Sequence, residues 1–184
     1  PLARALVAAG VPVDLPQADA PLAEQPAVRA LLTVLEATVR GLDGDRALSL
    51  VTGPIGRVDP ISLRQLRRAL RRADGAQPPR DFADLLVDAL DSGAVLSSEL
   101  ARPLQRVRAV LTAARRSAES GQDARYTLWQ AWHRSGLQRR WLAASERGGA
   151  TGVQADRDLD AVTALFDVAE QYVTRTAGAS LPGL

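Results

Sequence analysis

The chain has 184 residues, 46% of them hydrophobic and 24% charged, which suffices for one well-buried domain. Its formal charge is only +2, so a nucleic-acid partner must be argued from local clustering and not from a global field. Cysteine and lysine are absent and His133 is the single histidine. That excludes disulfides, thiol chemistry, a histidine metal cluster, a phosphate-loop lysine and a Schiff-base lysine within this chain.

Leu2–Ala9 carries an Ala/Leu helical pattern ending at Gly10, and Val11–Pro16 reads as one extended strand or connector. From Leu22 the pattern is helical almost throughout. Pro26 opens a helix whose apolar face is Val28, Leu31, Leu32 and Leu35, ending at Gly41. Gly41–Arg46 reads as a turn and Ala47–Val51 as a short helical or irregular piece. Asp59 is an N-cap with Pro60 at the first helical position, and that helix runs to about Arg72.

Ala73–Asp81 reads as a loop. Phe82, Leu85, Leu86, Ala89 and Leu90 mark an amphipathic helix closed by Gly93. Leu104, Val107, Leu111 and Ala114 mark the next helix, with Pro103 near its start and Gly121 after its end. Asp123–Ser135 and Leu137–Ala144 hold Trp129, Trp132 and Trp141. A glycine loop (Gly148, Gly149, Gly152) then precedes a long helix over about Asp156–Thr174. The fold class expected is all-α, an irregular bundle of about six to eight helices, with the short N-terminal strand as its one exception.

Most of the chemistry-bearing residue types have ordinary explanations. The Asp156-Asp158-Asp160 run lacks the glycine turn and terminal Glu of a calcium loop, and acidic residues suit the first turn of a helix. The three Trp fit a core better than a base-stacking platform. His133, with no carboxylate near it in sequence, is expected to pack or solvate beside Trp132. No metal and no catalytic residue is expected.

The stretch Leu50–Arg72, LVTGPIGRVDPISLRQLRRALRR, is different. With Arg64 at zero on a helical wheel, Arg67, Arg68, Arg71 and Arg72 fall at roughly −60°, 40°, −20° and 80°. Leu63, Leu66 and Leu70 fall at roughly −100°, −160° and −120°, so a Leu stripe opposes an all-Arg face. Five guanidiniums without an acid among them repel one another unless something anionic lies alongside. The preceding GPIG loop can expose backbone N–H groups to a phosphate. Loop and helix together would hold a duplex backbone without reading its sequence. Spacing alone leaves this grip and a merely solvated helix equally open.

PLARALVAAGVPVDL (Pro1–Leu15), EQPAVRALLTVLEA (Glu24–Ala37), LVTGPIGRVDPISLRQLRRALR (Leu50–Arg71), LWQAWHRSGLQRRWL (Leu128–Leu142) and ADRDLDAVTALFDVAEQY (Ala155–Tyr172) follow one another along nearly the whole chain. Their order resembles the 2B insertion domain of UvrD/Rep/PcrA-type superfamily 1 DNA helicases, most of all the actinobacterial AdnA/AdnB-type helicase-nuclease subunits. Ile55 and Gly56 match the second half of that family's Gly-Ile-Gly-like loop, while Pro54 stands where its first Gly would be. The resemblance implies a non-catalytic domain contacting duplex DNA ahead of the unwinding junction and regulating a motor.

The duplex contacts so implied are Gly53, Ile55, Gly56, Arg57, Arg64, Arg67, Arg68 and Arg71. Residues 1–20 would be the edge of a RecA-like motor domain, 21–177 the accessory domain and 178–184 a linker back. The start at Pro1 reads as a piece of a longer protein, whose other parts would bind ATP and Mg. Partners would be duplex DNA, the motor domains and a second helicase-nuclease subunit, with no membrane, in the cytoplasm. The alternative is a helical interaction module whose Arg helix docks on a partner or on its own motor domains.

Overall fold

Proline and aspartate set most of the helix starts. In the computed structural model, which describes residues 21–93, 96–176 and 181, α1 (Pro26–Arg40) opens on its proline and stops at Gly41, φ 86°. α2 (Gly44–Thr52) is capped by Asp43, whose carboxylate accepts from the Arg46 N–H. α3 (Pro60–Asp74) is capped by Asp59, which accepts from the N–H groups of Ile61 and Ser62, and it closes on left-handed Gly75. α4 (Phe82–Asp91), α5 (Ser98–Glu119), α6 (Ala124–Ser135), α7 (Leu137–Arg147) and α8 (Gly149–Arg175) follow. The Asp123 carboxylate caps α6 through the Tyr126 N–H.

These eight α-helices, with a 3-10 turn at Leu22–Glu24 and no strand among the described residues, make an irregular all-α bundle. The expected N-terminal helix and strand, and residues 1–20 as a motor-domain edge, lie outside the described residues. So does the 178–184 linker apart from Leu181, which is buried against the core.

α1 is the hub. Its buried Val28, Leu31, Val34 and Leu35 belong to the core where α1 meets α2, α5, α6 and α8. α5 with α6, and α7 with α8, form the two closest helix pairs, and α2 lies across α4. α3 is peripheral: it packs on α4 and more lightly on α5, through Leu66 and Leu70. Burying each such leucine contributes about 1.5–3 kcal/mol, enough to seat one side of the helix and leave the other free.

Two boundaries differ from expectation. α2 starts at Gly44, inside the expected turn, because Gly44 lets the helix press on α4: a Cβ there would stand 2.4 Å from the Ala83 Cβ. α8 starts at Gly149 and not near Asp156. The small Gly152 lies against the carbonyls of Ala144 and Ser145, so close packing on α7 carries the glycine-rich segment into the helix despite its poor propensity. Asp156, Asp158 and Asp160 therefore sit beyond the first turn, and the first-turn dipole explanation for them fails. Asp158 is half-buried, with the Gln154 amide 3.0 Å away; burial pushes its carboxyl up, partly offset by that hydrogen bond and by Arg140.

Candidate nucleic-acid interface

The outer side of α3 is a row of cations. Arg64, Arg68, Arg71 and Arg72 are exposed, and none of these guanidiniums has a carboxylate partner among the described residues. Asp74, the one acid on the helix, is taken by Arg80 at 3.3 Å, and Arg80 also holds Asp88 at 2.7 Å. Those two carboxylates raise the Arg80 guanidinium above its usual value, Asp88 contributing most. Arg67 stands apart from the row: its guanidinium lies over the Phe82 ring, 4.7 Å from the centroid, drawn toward α4 by an apolar neighbour. Ile61, 61% exposed, stands at roughly 60° on the same wheel, among the arginines. The same arithmetic finds it in the sequence.

The loop before α3 is built the other way round. The N–H groups of Gly53, Gly56, Arg57 and Val58 donate to the carbonyls of Ser49, Leu50, Gly53 and Val51, at 2.8–3.1 Å. Ile55 is 2% exposed and belongs to the core. At Gly56 a Cβ would stand 2.1 Å from the Val51 oxygen, and at Gly53 one would stand 2.7 Å from the Ser49 oxygen. Both glycines are needed so that the loop can fold back on the end of α2. Of the contacts expected there, Gly53 and Gly56 therefore have their N–H groups engaged by the backbone itself, and the Ile55 side chain is inside and offers no surface.

The carbonyls of residues 54–56 face α5 and α7, where two arginines hold them. Arg106 on α5 donates from Nε to the Ile55 oxygen at 3.3 Å and from Nη2 to the Gly56 oxygen. Arg140 on α7 donates from Nη1 to the Pro54 oxygen at 3.0 Å, its guanidinium lying 5.8 Å from the Trp141 ring centroid. Both are half-buried, and burial pulls both guanidiniums below their usual value, with repulsion from Arg57 adding to it. Neither was a candidate from sequence. They lie 50 and 86 residues from the carbonyls they hold, and no local spacing signals so distant a contact.

Arg57 links the two regions. It is exposed, and its φ of 60° makes it the non-glycine residue with a left-handed backbone among the described residues. Beside it opens a shallow cleft of about 220 Å³ between α3 and the start of α5, lined by Ser62, Gln65, Ser97 and Glu99 as well as Arg57. Glu99 gives that cleft an acid and makes it a poor seat for an anion.

The aromatic residues divide. Trp132 and Trp141 are buried and pair at 5.6 Å, as expected of core. Trp129 is 43% exposed, stacked on Tyr126 at 5.8 Å and on His133 at 5.1 Å. The core expectation for Trp129 is corrected, while His133 is exposed and packs, as expected of it, with the ring of Trp129 as its neighbour. On the α6 wheel Tyr126, Trp129 and His133 share one arc, opposite the buried Ala124, Leu128 and Ala131. Among the described residues no group of three or more His, Asp or Glu comes together to hold a metal, and no helix is long and apolar enough to cross a membrane. No protein-family model matches this chain, and no curated protein matches its sequence.

Proposed function

We propose that this chain is a non-catalytic module that holds the phosphate backbone of duplex DNA through the outer side of α3. The observation that carries the reading is the unneutralised row Arg64, Arg68, Arg71 and Arg72 on a peripheral helix. Four cations crowded onto one side of a single helix repel one another, and a polyanion that lies along them relieves that repulsion while releasing its own counterions. The contact positions a duplex and reads no base. With the family resemblance, the reading extends to a 2B-type accessory domain of an ATP-dependent helicase or helicase-nuclease. ATP, Mg and the motor would belong to the rest of that protein, and the domain would regulate the motor in DNA repair.

Titration of the chain with short duplex and single-stranded DNA over a range of salt tests this. If all four arginines reach phosphates, log affinity for duplex falls with log salt at a slope of about −3.6. Affinity that ignores salt would sink the reading.

A second reading has its own observation. Ile61 stands exposed within the arginine row, and a mixed apolar and Arg surface suits a protein partner with an acidic face. Crosslinks from α3 to protein, surviving in excess DNA, would favour docking on a partner subunit or motor domain.

A further inference from the structure

We propose that the outer side of α6 binds a single-stranded nucleic acid, whose bases stack on the column of rings formed by Tyr126, Trp129 and His133.

α6 keeps three of its rings outside the core. With Trp129 at zero on a helical wheel, His133 and Tyr126 fall at roughly 40° and 60°. The buried Leu128 and Ala131 fall at roughly −100° and −160°. An indole is thus left in water, although burying a Trp adds much to a small core. Trp129 lies between the other two rings, with centroids 5.8 Å from Tyr126 and 5.1 Å from His133. The ring planes depart from parallel by only 27° and 9°. Rings so spaced are offset and overlap in part, so π surface stays open along the column, and Trp129 is still 43% exposed.

Charge decides what the column would take. No Asp or Glu lies within α6, and its exposed arc carries Arg125 and Arg134 beside the rings. Glu170 of α8 bears on this side and is met by Arg125 at 3.6 Å. Arg134 and Arg139 are exposed and have no carboxylate partner among the described residues. Arg139 reaches back to the His133 end of the column. The Gly136 N–H donates to the His133 carbonyl at 3.4 Å, and Nη2 of Arg139 lies 3.9 Å from where a Gly136 Cβ would stand. That end is therefore cationic, whereas the Asp123 carboxylate caps the helix at the Tyr126 end.

Parallel rings with cations at one end suit a ligand that alternates flat bases with phosphates. A base extends the column from His133, and its phosphate meets the arginines there. A duplex keeps its base faces inside its own stack, so the column takes single strands. A protein partner would seat such rings as anchors in pockets of its own and has no need of parallel faces. None of these residues belongs to α3 or to the loop before it, so the site does not rest on the proposed function.

The 184-residue chain has one histidine, so the His133 ring protons report a base stacking on that ring without ambiguity. A short dT oligomer is titrated in, beside an abasic phosphodiester of equal length and a short duplex. Anisotropy of the labelled strands reads affinity. Trp129→Leu and Tyr126→Leu each remove an exposed ring, and Arg64→Gln with Arg68→Gln alters only the α3 row.

The dT oligomer is expected to move the His133 ring protons upfield and saturably, and Trp129→Leu should weaken its binding roughly tenfold. Tyr126→Leu should weaken it less, and the abasic strand should bind more weakly and give no upfield shift. No upfield shift, equal affinity for the abasic strand, or an affinity indifferent to both ring variants overturns the site. Line broadening that grows with protein concentration and vanishes in Trp129→Leu, without a dT response, assigns the face to a second copy and overturns it too. The α3 variant should keep the His133 shifts. Duplex binding that fails while those shifts persist removes the α3 grip and leaves this site standing. Duplex binding through α3 without any dT response does the reverse.

Discussion

Residues 53–57 and α3 adjoin in the chain, yet their polar groups face opposite ways. In the loop the N–H groups of Gly53, Gly56 and Arg57 donate to backbone carbonyls, and the carbonyls of residues 54–56 are held by arginines of α5 and α7, so its polar groups are turned inward. On α3 the guanidiniums of Arg64, Arg68, Arg71 and Arg72 are exposed and meet no carboxylate among the described residues. Arginine serves both regions, but in two ways. Arg106 and Arg140 are half-buried fasteners whose loss should cost stability, whereas the α3 arginines are surface charges that the proposed grip would use. Fastening and gripping are separable, and substitutions can pull them apart.

The largest effect on stability should come from Gly56→Ala. Its Cβ would meet the Val51 oxygen at 2.1 Å, a backbone atom that moves only if α2 moves with it. A loss of about 3 kcal/mol is expected, read from urea unfolding. An unchanged midpoint would mean the loop does not fold back on α2, and the contrast with α3 would collapse.

Next in size is Arg106→Met, which keeps the aliphatic stem and removes the donors. The Ile55 and Gly56 carbonyls lose their charged partner, for a loss of about 2 kcal/mol by the same assay. Relief of repulsion with Arg57 offsets a part of this. A gain in stability would show that Arg106 strains the loop instead of fastening it.

Asp59→Ala acts at the junction of the two regions and should lower Tm by roughly 2–4 °C. The hydroxyl of Ser62 and the N–H groups of Ser62 and Ile61 hold the Asp59 carboxyl below its ordinary value. A depressed carboxyl contributes stability that is complete above the unfolded pKa, about 3.9, and fades as pH falls through the folded value. The variant should thus lose Tm at neutral pH and show a shallower acid decline. An equal Tm difference at pH 7 and in strong acid would contradict the cap.

How much of this was legible in the sequence depends on the range of the interaction. Asp59-Pro60 could be read because a cap is a contact between residues two and three apart. The Leu66–Leu70 stripe and the Arg row could be read because a helix repeats on a local period. The loop could not, because the meaning of Gly56 is set by α2 and that of its carbonyl by Arg106, 50 residues on. The start of α8 was hidden similarly: Gly152 disfavours a helix until α7 lies against it. Trp129 was missed for a different reason. Its exposure was available from the wheel of α6, but residue type outweighed position in a reading that put every Trp in the core.

The smallest stability effect belongs to Arg64→Glu with Arg68→Glu, and its smallness is the point. Neither side chain has a protein partner among the described residues, so unfolding should move by no more than about 0.5 kcal/mol. The substitution even supplies new opposite-charge pairs one turn apart, because a carboxylate at position 68 would stand beside Arg71 and Arg72. Duplex affinity should respond on a different scale, its salt slope becoming shallower by about 1.8 as two phosphate contacts disappear. A variant that unfolds easily would place these arginines with the fasteners. One that keeps both its stability and its salt slope would leave α3 a solvated helix, and the outward-facing half of the comparison would have no function to explain.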